Sequence, residues 1–217
     1  MSKIMKIAIF GATGPSGTLL VEECLGSGHS VVALARNPDK LTIKHENLTV
    51  VKSDIQTQEE LVSPLTGCDA VMSCLGSRQS IWSTVTLYTD TVKVITGAMR
   101  TAGVSRFVAM ASWGTKYEAG LPFVIKWILR PLILKNILLN MGQMEDYLAE
   151  CGDIDYTVVR TAQLTKDEST GREVTGVDGQ FVPDAAARIP RRDVVRFMMR
   201  CVVNGEWMKK CVSIGIK

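Results

Sequence analysis

Glycines at positions 11, 14 and 17, in the stretch IFGATGPSG, separate a short apolar run from an amphipathic one. A strand that turns directly into a helix needs residues without a Cβ at the turn. The helix start then offers N–H groups and the positive end of a dipole, which together suit phosphate. Thr13 and Ser16 add hydroxyls to the same turn. The G-x-x-G-x-x-G spacing differs from the G-x-G-x-x-G of many dehydrogenases, but it occupies the first βα turn. Gly11, Thr13, Gly14, Ser16 and Gly17 are therefore expected to hold the pyrophosphate of a dinucleotide.

The next chemistry falls where a second strand ends, about twenty residues past the glycines, the place of the carboxylate that meets the ribose of NAD. Here the residues are LARNPDK. Arg36 stands in place of the acid with Lys40 close behind, so a 2′-phosphate would meet cations, and the expected cofactor is NADP(H). Asp54 and Ile55 close a third strand, where a carboxylate beside an apolar edge can accept the adenine amino hydrogens. Leu75 and Gly76 close a fourth, where a small residue lets a cofactor approach the backbone.

These positions need a parallel sheet, and the chain supplies one. Apolar runs KIAIF, SVVALA, LTVVKSD, AVMSCLG, RFVAMAS, DYTVVR and CVSIGI alternate with helical patterns, which predicts an α/β, Rossmann-like, doubly wound parallel sheet with helices on both faces. Gly17, Leu20, Val21 and Cys24 line a first helix ending near Gly28, and Val85, Tyr88, Val92, Ile95, Met99 and Ala102 line a longer one. REVTGVDGQFV reads as a hairpin around Asp178-Gly179. Asp193 is expected to open a helix carrying Val194, Phe197, Met198 and Cys201 and ending at Asn204-Gly205. With no linker or repeat, residues 1–217 read as a single NAD(P)-binding domain whose residues 163–192 form a small C-terminal substrate lobe.

The stretch LPFVIKWILRPLILKNILL belongs to none of these patterns. Lys126, Arg130 and Lys135 interrupt it too often for a transmembrane helix, and Pro131 should kink or restart any helix. It is expected as an apolar flap over residues 120–142, with a membrane-surface helix as the alternative. Trp113, Tyr117 and Trp127 could stack there on a planar molecule, although aromatic residues at such spacing also serve as plain core.

Composition narrows the partners. A net charge of +3 without a basic stripe gives no reason to expect nucleic acid. The six cysteines show no Cys-x-x-Cys pair and no histidine at metal spacing, so reduced thiols, no metal and a cytoplasmic location are expected. The amino terminus shows no secretory pattern.

GATGPSG, ARNPDKL, SCLGSR, RFVAMAS, DYTVVR and ARIPRRDVVRFMMRCV follow one another as in the atypical short-chain dehydrogenase/reductase family, which this chain resembles over nearly its whole length. Within that family it is most similar to the biliverdin and flavin reductases. The resemblance implies a single-domain NADP-binding Rossmann fold with Gly11, Thr13, Gly14, Pro15, Ser16, Arg36, Asp54, Ile55, Leu75, Gly76 and Arg78 against the cofactor; a monomer is expected. It also implies that Ser112 lies beside the nicotinamide as a catalytic candidate. Gln163 stands where those reductases carry a histidine, and an amide cannot donate a titrating proton. The Tyr-x-x-x-Lys of short-chain dehydrogenases, whose phenol protonates an isolated alkoxide, is missing. An acceptor that spreads its charge over a conjugated system and takes its proton from water suits this chain better. The expected activity is therefore NADPH-dependent reduction of a planar acceptor such as a flavin (FMN), a quinone or a linear tetrapyrrole. A non-catalytic NADP(H) sensor acting through a protein partner is the rival, and a nucleotide-sugar epimerase ranks last because it generally needs the tyrosine.

Overall fold

The computed structural model describes residues 3–77 and 84–217. Seven strands run parallel: β1 (Lys6–Phe10), β2 (Ser30–Ala35), β3 (Leu48–Lys52), β4 (Ala70–Ser73), β5 (Arg106–Ser112), β6 (Asp155–Thr161) and β10 (Lys210–Gly215). Their spatial order is β3-β2-β1-β4-β5-β6-β10, and β8 (Thr175–Val177) closes the far edge antiparallel to β10. The order reverses between β1 and β4. In open α/β sheets the crevice outside the carboxyl ends at that reversal is where ligands bind.

β1 shows why the sheet is covered on both faces. Ile7 and Ile9 point into one apolar cluster and Ala8 and Phe10 into the other, all fully buried. A continuous apolar run, rather than an alternating one, is what a doubly covered parallel strand requires. On the first face α1 (Pro15–Gly26) and α5 (Arg191–Val203) pack through Leu20, Val21, Cys24, Val194, Phe197 and Met198. On the second, α2 (Gln58–Leu65), α3 (Leu87–Ala102) and α4 (Lys135–Glu150) bury Leu61, Val92, Ile95, Met99, Leu138 and Leu148. The expected Rossmann-like doubly wound sheet is the one observed.

Several local readings shift. The third and fourth strands end at Lys52 and Ser73, short of the sequence runs, because Ser53, Asp54, Cys74, Leu75 and Gly76 leave the ladder to line a cleft. There is no hairpin at Asp178-Gly179. Thr175–Val177 pairs instead with β10, Gly176 opposite Ile214, and the Gly179 carbonyl accepts from Arg160 Nη1 at 2.8 Å and from Ser213 Oγ at 2.5 Å. Asp193 does not open α5, which starts two residues earlier on Pro190 as cap. Its buried carboxylate accepts from the Ser169 hydroxyl and from Thr170 N–H and Oγ1 at 3.1 and 3.0 Å, tying down a loop. That loop lies between β7 (Gln163–Thr165) and β9 (Arg188–Pro190), which form a separate two-stranded parallel sheet within residues 163–192.

The apolar stretch forms a helical segment, Ile125–Ile133, with wide i→i+5 turns, and leads directly into α4. Pro131 lies inside it, where the expected interruption does not occur. Wide turns already lack the i→i−4 bond that proline removes, and the break falls three residues later at Leu134, after which the chain restarts as α4. Among the described residues no helix is long and apolar enough to cross a membrane.

Candidate cofactor site

The turn after β1 is set by backbone approach. Gly11 has φ +74°, and a Cβ on it would lie 2.8 Å from the Cys74 carbonyl carbon and oxygen at the end of β4. A Cβ on Gly17 would lie 2.1 Å from the Gly11 carbonyl oxygen, so only glycine lets α1 sit this close to the strand it leaves. Gly14 N–H donates to the Gly11 carbonyl at 3.0 Å and closes the turn. Gly14 caps α1 and Pro15 takes its first position, and no side chain caps the helix. Ser16 and Gly17 are buried behind it. The amino end of α1 therefore keeps its dipole and first-turn donors for an anion.

A cleft of about 260 Å³ opens outside the carboxyl ends of β1, β2, β3 and β4. It is lined by Gly11, Thr13, Gly14, Arg36, Lys40, Asp54, Ile55, Leu75 and Gly76, nine of the positions read from the sequence. Ser16 and Gly17 are buried behind the turn and Pro15 is exposed on it, so none of the three lines the cleft, and Arg78 lies outside the described residues. Arg36 and Lys40 are both exposed at the rim beyond β2. Two cations there and an uncapped helix start on the other side make a donor set that fits a dinucleotide with phosphate at both places.

The Ser53–Ile55 side of the cleft is held in part by residues that sequence reading did not single out as site residues. Ile55 adopts φ +61°, a strained conformation for a β-branched residue. Its N–H donates to Ser53 Oγ and to Glu60 Oε1, each at 3.2 Å, and the Ser53 hydroxyl donates to the same carboxylate oxygen. Glu60 lies in the first turn of α2, which Thr57 caps. The carboxylate therefore holds the Ser53–Ile55 turn, and Asp54, which accepts from Gln56 Nε2 at 2.6 Å, is presented at the cleft. The T-x-x-E pattern of Thr57 and Glu60 is a recognisable capping signal, but it predicts an acid that reaches back to the Thr57 N–H, not one that reaches on to Ile55 and Ser53.

Leu87 and Thr91 on α3 and Cys74 after β4 also line the cleft. Burial pushes the Cys74 thiol up to about 12, so it stays a neutral thiol beside the site. The start of α3 is capped from another helix: the buried Asn140 of α4 accepts from Tyr88 N–H at 2.9 Å and Thr89 N–H at 3.4 Å and donates to Thr89 Oγ1 at 2.8 Å. Such a cap across elements has no local sequence signature.

The remaining candidates lie around the carboxyl ends of β5 and β6, and none lines this cleft. Ser112 is half-buried at the end of β5, opposite Thr161 in register. Trp113 is a correction: its ring is 3 % exposed and its indole N–H donates to the Ile214 carbonyl at 3.1 Å. It is core, because the sheet supplies an acceptor for the one polar atom of the ring. Tyr117 and Trp127 are exposed, with Lys126 Nζ 5.3 and 5.1 Å from their ring centroids. Gln163 is exposed on β7.

Beneath them sits a buried ion pair that sequence reading missed. Arg160 Nε and Nη2 donate to the two oxygens of Glu145 at 2.9 and 2.8 Å, both side chains being buried. Thr115 Oγ1 lies 3.0 Å from each Glu145 oxygen and from Gln180 Oε1, which also accepts from Lys116 N–H. One bidentate pair thus joins α4, β6, the loop after β5 and the loop at 179–180. The two residues are fifteen apart, a separation that offers no periodic clue.

The family comparisons agree with this geometry. The model of the NAD(P)H-binding family matches residues 11–204. An isoflavone reductase homologue from Nicotiana tabacum is 33 % identical over 117 residues, 50 % of this chain and 35 % of that protein. The chain thus spans about a third of the length of these first relatives. An uncharacterised chloroplastic protein of Arabidopsis thaliana is 29 % identical over 205 residues, 86 % of this chain and 71 % of that protein. Among solved structures, a Streptococcus pneumoniae protein suggested to be an NADH-flavin reductase superposes with a TM-score of 0.80 at 22 % identity, covering 98 % of this chain and 100 % of that one. The anaerobilin reductase of Escherichia coli O157:H7 gives a TM-score of 0.77 at 19 % identity, covering 97 % of each chain. At these identities the structures share the fold. With a matched family model over most of its length, the chain belongs to the NAD(P)H-binding family of oxidoreductase-like Rossmann proteins, and NADP(H) is a cofactor of the kind that family binds.

Proposed function

We propose that the protein is an NADPH-dependent reductase that passes hydride to a flat conjugated acceptor, with FMN the first candidate and quinones and linear tetrapyrroles next. The observation that carries the cofactor half is the meeting of the glycine turn with Arg36 and Lys40 in one cleft at the reversal of the sheet. The acceptor half rests on the missing Tyr-x-x-x-Lys, which leaves no phenol to protonate an isolated alkoxide. The names of the pneumococcal and E. coli neighbours point to flavin and tetrapyrrole reduction in proteins of this fold.

NADPH, when bound, supplies the hydride; the chain's own residues position the partners. The amino end of α1 takes the pyrophosphate, Arg36 and Lys40 take the 2′-phosphate, and Asp54 faces the adenine amino group. Ser112 orients the reacting end, while Tyr117 and Trp127 offer faces on which an acceptor can stack. Gln163 orients rather than titrates. Loss of NADPH absorbance is to be followed against a panel of flavins, quinones and biliverdin isomers. Turnover with at least one planar acceptor is expected. Tight cofactor binding with no turnover would overturn the reductase reading in favour of a sensor.

A further inference from the structure

Of the large apolar side chains exposed on the described surface, eight of eleven come from residues 117–139, among them Phe123, Val124, Trp127, Leu132, Ile133 and Leu139. Phe123 is 70 % and Leu132 66 % exposed. Scattered apolar residues need no explanation, but a cluster from one continuous segment marks a contact surface. The charge around it is one-sided: between Glu118 and Glu145 the chain holds Lys126, Arg130 and Lys135 and no acid. Lys126 lies against the Tyr117 and Trp127 rings, so its charge is carried at the edge of the apolar surface on an apolar stem.

We propose that the segment Leu121–Leu139 docks on an anionic lipid surface, lying in the interface with Phe123, Leu132 and Ile133 among the acyl chains and Lys126 and Lys135 at the phosphates. Three features select this occupant. Apolar and aromatic residues beside cations and without acids are the pattern of an interfacial helix. No described helix is long and apolar enough to cross the bilayer, so the segment lies on it. A second copy on a two-fold axis would set this segment against its own equivalent, two basic surfaces with no carboxylate of the segment to meet the lysines.

Sedimentation of the full chain with vesicles tests the proposal, using phosphatidylcholine alone and phosphatidylcholine with phosphatidylglycerol at about 30 mol %, a content chosen to give a clearly anionic surface. The protein should partition at least about tenfold more strongly onto the anionic vesicles, the gain expected from a few basic contacts. F123S/L132S should lose that binding, and K126E/K135E should lose it while keeping the melting temperature and NADPH affinity, which separates lipid contact from misfolding. No binding to anionic vesicles, equal binding to both vesicle types, or binding unchanged in K126E/K135E would overturn it. So would a concentration-dependent dimer, dispersed by F123S/L132S, in a protein that ignores vesicles.

Discussion

The two ends of the ligand-binding edge are built by different means. Around β1 to β4 the site is made of backbone: a positive-φ glycine against β4, a second glycine under α1, a helix start without a side-chain cap and a strained turn at Ile55. Around β5 and β6 it is made of side chains, with Glu145 and Arg160 joining four pieces of chain and the apolar segment laid outside them. The first arrangement fixes one ligand, a dinucleotide. The second, on the proposed function, underlies the surface that meets the acceptor, with one buried ion pair tying its pieces together.

If that contrast is right, the largest loss of stability comes from the side-chain half. Glu145→Ala leaves the Arg160 charge buried and unpaired and should cost about 3–5 kcal/mol, read as a fall in chemical-denaturation midpoint. Glu145→Met/Arg160→Met should recover most of it, since a well-packed apolar pair can replace a buried ion pair. Failure to recover would give the pair a role beyond stability.

Gly17→Ala tests the backbone half. The added Cβ forces α1 off β1, and overpacking of this kind costs about 1–3 kcal/mol, with a lower melting temperature and weakened NADPH binding together. An unchanged NADPH affinity would mean that the turn is merely tight. Arg36→Ala should then weaken NADPH about tenfold to a hundredfold, the worth of a charge-assisted contact of about 1.5–3 kcal/mol, and leave NADH unchanged. An unaltered preference would remove Arg36 from the site. Ser112→Ala should lower kcat about tenfold, as loss of a single hydrogen bond of about 1 kcal/mol or slightly more would, with NADPH affinity unchanged.

The smallest effect lies at the opposite edge. Asp69 accepts from Lys3 Nζ and from Lys6 N–H, both at 2.8 Å, and the Lys3 hydrogen bond leads the causes that hold its carboxyl below the ordinary range. A depressed folded pKa gives stability that is present above the unfolded value and is lost as pH falls through the folded one. Asp69→Asn should therefore cost under about 1 kcal/mol at neutral pH, as exposed pairs do. The difference from wild type should vanish below the carboxylate range.

The contrast also explains what could be read without a structure. Glycines, strand-end charges and apolar periodicity are local signals; they gave the doubly wound sheet and pointed to nine residues that line one cleft. Ser53 and Glu60, Asn140 over α3, and the Glu145–Arg160 pair act between elements, where spacing carries no information. The hairpin reading at Asp178-Gly179 failed for the same reason: a good turn dipeptide lost to the distant β10 and Arg160. Trp113 looked like its exposed neighbours until the Ile214 carbonyl showed where its ring belongs.

On the proposed function, the cleft at the sheet reversal takes the 2′-phosphate and serves reduction of a planar acceptor. The ratio of kcat/KM for NADPH to that for NADH, with FMN as acceptor, tests both parts at once. At least about tenfold in favour of NADPH is predicted, one charge-assisted contact being worth about 1.4 kcal/mol or more. A ratio near one, or binding of both dinucleotides without turnover of FMN or any other planar acceptor, would contradict it.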